Sequence, residues 1–254
     1  YGVTGNPLGM STNITFTGSG ELDNGGVIAV NMALDDKATY SAGDISVDMP
    51  GIGKFSFDQG GGTGLDRLDD KMPTSWEESY DAGLGSNIVT VTGAGGGTDI
   101  EWAVDSGFLP DGMSAYVSYA PYAGGGNVND KAVGGQDAGA NGTGHGWDIV
   151  LEHSGLTDGL NLFAGYSAIE QSGNTEDEKD DKNSWVAGAT YAVGGVTVGY
   201  QHSEESMGVG AVDVYENDAY GISYSVNDDL SISYGSHESD QSKDVPGSVT
   251  LETT

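Results

Sequence analysis

The stretch LDRLDDK at residues 65–71 places Asp66, Arg67, Asp69, Asp70 and Lys71 within seven positions, and Glu77, Glu78 and Asp81 follow shortly after. A second set of ionisable residues sits at alternate positions in short apolar runs: Asp44 and Asp48, Lys54 and Asp58, Glu101 and Asp105, Asp148 and Glu152. Carboxylates in these numbers suit three kinds of chemistry. They could act as paired acid and base, ligate Ca²⁺ through oxygen, or line a water-filled passage, where rings of acid attract cations and repel anions. Catalysis has the least support. There is no G-x-S-x-G elbow, Asp105-Ser106-Gly107 is too short to mark a serine protease, and so many acids make any one pair uninformative. The four histidines, His145, His153, His202 and His237, show no ligand spacing, and three of them fall on the apolar face of their strands toward the loop end. The chain therefore reads as a non-enzyme.

Calcium has two candidate stretches. GGTGLDRLD at residues 61–69 fits the nonapeptide repeat G-G-x-G-x-D-x-U-x once, whereas that architecture needs several stacked copies. NTEDEKDDKN at residues 174–183 gathers carboxylates without the spacing of a defined calcium loop. No cofactor or metal site is expected, with loop-bound Ca²⁺ as the alternative. The plain reading of all these acids as solvated surface also stays open.

A net charge of −31, from 39 acidic and 8 basic residues, argues against nucleic acid, whose phosphates nothing here would neutralise. It argues equally against docking on anionic lipid through a basic surface. Cysteine is absent, which excludes disulfides and thiolate chemistry. No apolar run approaches the ~18 residues of a membrane helix. The chain opens on Tyr1 without a signal peptide and stops at Thr254 without a terminal aromatic, so both ends are expected to be incomplete.

The elements that must position the acids are strands. In WVAGATYAVGGVTVGYQHS, residues 185–203, Trp185, Ala187, Ala189, Tyr191 and Val193 share one face, Gly194-Gly195 makes a two-residue turn, and Val196, Val198, Tyr200 and His202 continue that face on the way back. Each arm has the ~9–11 residues of a tilted membrane-crossing strand. The same alternation recurs about twelve times, with a turn or two of helix expected after residue 64. Short turns near residues 23, 50, 110, 157, 194 and 228 alternate with long loops near 38, 78, 134, 178, 210 and 243. An up-and-down barrel sorts its connections this way, and a Greek-key sandwich has no reason to. Trp147, Trp185, Tyr166, Tyr191, Tyr200, Tyr220, Tyr224 and Tyr234 then read as interfacial girdles, and the acids named above face inward.

GELDNG at residues 20–25, VTVGYQ at 196–201 with its preceding hairpin arm, and SISYGS at 231–236 resemble general porins of marine alphaproteobacteria. The resemblance covers most of the chain. It implies an all-β, antiparallel up-and-down transmembrane β-barrel of sixteen strands in the full chain, with about twelve represented here as the second to the thirteenth. Residues 1–254 would form one barrel domain, and residues 59–97 the infolded constriction loop that follows the family's fifth strand. It also implies a homotrimer in the bacterial outer membrane, in contact with lipid and lipopolysaccharide and passing small hydrophilic solutes. Asp66, Arg67, Asp69, Asp70, Lys71, Glu77, Glu78 and Asp81 would then constrict the passage, and Asp44, Asp48, Lys54, Asp58, Glu101, Asp105, Asp148 and Glu152 would line its wall. Many porins set wall arginines against an acidic loop. This chain has one arginine, Arg67, which points to cation preference. The expectation is a passive, cation-preferring diffusion porin. The alternative is a secreted or surface-exposed calcium-binding adhesin or lectin-like module.

Overall fold

The computed structural model describes residues 13–35, 39–59, 61–73, 93–95, 98–121, 123, 142–172, 181–206 and 214–242. The alternating runs form β1 (Ile14–Glu21), β2 (Val27–Asp35), β3 (Thr39–Met49), β4 (Gly53–Asp58), β5 (Asp99–Val104), β6 (Met113–Ala120), β7 (Gly142–Ser154), β8 (Leu160–Ser172), β9 (Lys182–Val193), β10 (Val196–Ser206), β11 (Val214–Asn227) and β12 (Leu230–Ser242). They make one twelve-stranded sheet in sequential order, every neighbouring pair antiparallel. The fold is thus all-β and up-and-down, as the sequence indicates. Among the described residues β1 pairs only with β2, and β12 only with β11.

Alternation sorts the two faces of the sheet. One carries Ile45, Phe57, Ile100, Ile149, Tyr166, Val198, Ile222 and Ile232, all exposed. The other carries Ser46, Glu101, Ser118, Asp148, Ser167, Ser184 and Glu205, all buried. A water-soluble protein would do the reverse. An apolar face of this extent needs lipid or protein against it, and the alternation of apolar-out with polar-in is that of a transmembrane barrel. No helix among the described residues is long and apolar enough to cross a membrane, which says nothing of strands.

Turn chemistry fixes the register. Gly194 and Gly195 have φ of 56° and 84°, a left-handed pair that costs other residues roughly 1–2 kcal/mol each, and they set Val193 opposite Val196. The turns after β1, β3, β5, β7, β9 and β11 all lie along one edge of the sheet, because the order is sequential and antiparallel. At the other edge the strands outrun the apolar pattern. β7 begins at Gly142, β11 at Val214, and β12 runs to Ser242. Backbone pairing needs no apolar side chain, so polar residues prolong these ladders beyond the lipid-facing band. The long loop expected near residue 38 is corrected for the same reason. β3 starts at Thr39, across a register shift at Ala33/Leu34, and leaves only residues 36–38 as connection.

Near the loop edge of the apolar face, ring contacts run from strand to strand: Tyr119 with His145 at 6.0 Å, Trp147 with Tyr166 at 5.5 Å, Trp185 with His202 at 5.2 Å, and Tyr200 with Tyr220 at 5.0 Å. This is the girdle expected of interfacial aromatics. His153 does not belong to it. It is the penultimate residue of β7 and lies at the turn edge instead.

Candidate functional site

The segment after β4 does not leave the sheet. Thr63 leads into a 3-10 turn over Gly64–Leu68, the helical turn expected here, which packs on the polar face against β6, β7 and β8. Leu65, Leu68 and Met72 from this segment, with Val150, Phe163, Val186 and Ala219 of the wall, form the largest buried apolar cluster among the described residues. An apolar patch thus lies on the polar face where the segment packs.

Glycines on the wall receive the segment. A Cβ at Gly165 would stand 2.3 Å from Leu65 Cδ1, and at Gly199 or Gly221 it would stand 2.6 or 2.7 Å from Pro73 Cδ. Gly199 and Gly221 are direct cross-strand partners, so Pro73 sits in a trough with no side chains.

Carboxylates fasten the segment through its backbone. Asp148 Oδ2 accepts the N–H of Leu65 at 2.8 Å and that of Gly95 at 2.9 Å, and Oδ1 accepts the N–H of Ala94 at 2.9 Å. One side chain thus grips both the outgoing limb, residues 61–73, and the returning limb, residues 93–95. Such close approach needs glycine: a Cβ on Gly64 or Gly93, whose φ are +51° and +61°, would stand 2.3 or 2.7 Å from the Asp148 carboxylate. Glu101 Oε2 accepts the N–H of Gly64 at 2.8 Å and the Ser118 hydroxyl at 3.2 Å, while Glu101 also pairs with the Arg67 guanidinium. That guanidinium lies 3.6 Å from the centre of the Tyr116 ring. The Thr63 hydroxyl donates to Asp99 Oδ1 at 2.8 Å.

Glu101 and Asp148 belong to one register row. Ser46, Ser56, Glu101, Ser118, Asp148, Ser167, Ser184 and Glu205 are successive cross-strand partners on β3 to β10. Direct partners lie about 4.5–5.5 Å apart. Serines between the acids keep like charges from facing each other and leave room for the backbone that crosses above.

The residues singled out from sequence are placed as follows. Asp66 is buried and accepts the Gly62 N–H at 2.7 Å, so it braces its own turn. Asp69 and Asp70 end the turn, Asp70 exposed. Lys71 pairs with Glu152 at 2.8 Å. Asp44 accepts a hydrogen bond from the Asn31 amide at 2.9 Å and stands opposite Asp58, which stands opposite Asp99. Lys54 stands opposite Asp48. Asp105 lies past the end of β5, where it caps a 3-10 turn over Ser106–Phe108 by accepting the Gly107 N–H at 2.8 Å. Glu77, Glu78 and Asp81 lie outside the described residues, as does most of the acidic stretch at 174–183. Sequence reasoning missed Asp99, Glu205 and Lys182. Asp99 shares the alternation of Glu101 and was within reach, whereas the ion pair of Lys182 with Glu205 needs the β9–β10 register.

The charge balance is one-sided. The described basic side chains are Lys54, Arg67, Lys71 and Lys182, and the last three each pair with a wall glutamate. Among the described residues no cluster of basic side chains faces the acids, and no group of three or more His, Asp or Glu could hold a metal ion.

No family model matches the chain, and no curated protein matches it. Solved structures do. The chain is similar to OmpF of Salmonella typhi, solved in complex with daunomycin, with a TM-score of 0.62 and 15% identity over 95% of this chain and 75% of that one. Variants of the porin of Rh. blastica align over 92% of this chain and 85% of theirs, at 16% identity and a TM-score of 0.42. At this identity the OmpF likeness is one of fold: the twelve-stranded ladder with its apolar outer face is similar to the porin barrel.

Proposed function

We propose that the protein is a general diffusion porin of the bacterial outer membrane that passes small hydrophilic solutes passively and prefers cations. One observation carries this reading: a charged segment crosses the polar face of a sheet whose other face is apolar and exposed. A passage bounded by such a wall selects by size where the segment narrows it and by sign through the charges that remain. The reading takes residues 59–97 as the constriction loop of a single barrel, with Asp66, Arg67, Asp69, Asp70, Lys71, Glu77, Glu78 and Asp81 around the opening. Its cation preference is supported by the pairing of Arg67, Lys71 and Lys182 with glutamates and by the excess of acidic over basic side chains among the described residues. Twelve strands of sixteen accord with the three quarters of OmpF that the chain covers. The trimer, the contact with lipopolysaccharide and the marine alphaproteobacterial type rest on the sequence motifs. The test is the reversal potential of detergent-extracted full-length protein in a planar bilayer under a KCl gradient. Stepwise conductance reversing toward the K⁺ equilibrium potential is expected. Anion preference would overturn the electrostatic part, and an absence of conductance would overturn the whole.

A further inference from the structure

The 3-10 turn covers only the middle of the wall. Toward the turn edge, a cavity of about 240 Å³ opens beside Lys71. Its polar lining comes from Ser114, Glu152, His153, Ser154, Asn161 and Thr190, with Leu162 and Phe163 as its apolar part. Register brings these together: Ser114 and Phe163 flank Glu152 in one row, and Asn161 stands opposite Thr190. In liquid terms the volume equals about eight waters, too small for a sugar oligomer and enough for a solute of a few heavy atoms.

The Lys71 ammonium and Glu152 carboxylate meet here at 2.8 Å, with 33% and 27% of their side chains exposed. The pair is neutral as a whole, and its two side chains are partly open to solvent although the Glu152 oxygen that meets Lys71 is buried. A plain cation entering it must displace Lys71 and leave that charge alone, and a plain anion does the same to Glu152. A zwitterion replaces both halves at once, its carboxylate taking Lys71 and its ammonium taking Glu152. The hydroxyls and amide around the pair can accept or donate the remaining hydrogen bonds. We infer that this recess is a subsite for zwitterionic solutes of α-amino-acid size, set on the turn side of the crossing segment. Exposed charge pairs are weak, so the affinity is about millimolar, which suits a channel that must also release what it binds.

This inference rests on the porin reading, and one experiment separates the two. Full-length protein in a planar bilayer is first shown to conduct KCl. Glycine, methylamine, acetate and glycerol are then titrated separately while current interruptions are recorded. Saturable interruption by glycine alone is expected. Substituting Glu152→Gln or Lys71→Gln should raise the half-saturating glycine concentration about fivefold, and the charge swap Lys71→Glu with Glu152→Lys should bring it back. A conducting pore that treats glycine like glycerol overturns the inference and leaves the porin standing. Single variants that fail to assemble leave the comparison of the four solutes on the unaltered protein to decide. A protein that does not conduct overturns both.

Discussion

Asp148 and Leu65 are 83 positions apart in the chain, yet the carboxylate of the first accepts the backbone N–H of the second at 2.8 Å. The bond ties a β7 wall residue to the turn that crosses the wall, and the same carboxylate holds Ala94 and Gly95 on the segment's return. One side chain thus supplies three of the hydrogen bonds that position the crossing segment.

Substituting Asp148→Ala leaves three backbone donors without their acceptor. Each buried orphan costs about 1–3 kcal/mol, so the detergent-solubilised protein should lose roughly 3 kcal/mol or more. Thermal unfolding followed by the mobility shift of unheated samples on gels measures this. In bilayers the same variant should show a noisier open level. A variant that melts with the parent would mean that the segment is held mainly elsewhere.

The socket at Gly165 makes a second prediction. Gly165→Ala drives a methyl into Leu65 Cδ1, and overpacking of this kind costs about 1–3 kcal/mol. Adding Leu65→Ala removes the obstructing carbons. The double variant should therefore be less destabilised than the sum of the singles, as a double-mutant cycle on unfolding will show. Simple additivity would place the two side chains out of contact.

Selectivity should divide the loop aspartates. Asp70 is exposed, whereas Asp66 is buried against the Gly62 N–H. Asp70→Asn is expected to move the reversal potential away from the K⁺ value, and Asp66→Asn to lower stability with a smaller effect on selectivity. Equal shifts from both would show that Asp66 also acts on ions in the passage.

Glu101→Gln strands Arg67, whose side chain is 19% exposed. Breaking a largely buried pair from one side costs about 3 kcal/mol, and the change also adds a net positive charge to the crossing. Lower melting and weaker cation preference should appear together. Arg67→Gln combined with Glu101→Gln should recover part of the stability, because neither charge is then left alone; failure to recover would assign the loss to the Gly64 and Ser118 hydrogen bonds of Glu101.

The period-two pattern made the strands legible, and with them the outward face of Ile149 or Ile222 and the inward face of Glu101 and Asp148. Hydropathy stops where lipid stops, so the polar ends of β7, β11 and β12 and the whole start of β3 read as loop. Alternation places a carboxylate on the wall but does not say what reaches it. Asp148 was legible as an inward acid; its grip on the N–H groups of Leu65, Ala94 and Gly95 is a tertiary fact with no local signature. Nothing local marks Gly165, Gly199 or Gly221 as more than strand glycines, since a socket becomes visible only with its occupant. Asp105 was misleading because it keeps the parity of Glu101 for one residue beyond the point where the strand ends.

The crossing segment also bears on the shape of the sheet. From Thr63, bonded to Asp99 on β5, to Pro73, lodged against β10 and β11, the chain has five residues of 3-10 turn and five more. At about 2.0 Å per residue for the first five and at most about 3.4 Å for the others, it spans roughly 27 Å. Residues 69 and 70 turn rather than extend, which shortens it further. With those two residues at about 2.0 Å each the segment spans roughly 24 Å, whereas, laid flat, the strands from β5 to midway between β10 and β11 would occupy about 26 Å at their usual spacing. The segment is a chord shorter than its arc, so a wall pinned to it at both ends has to bow around it.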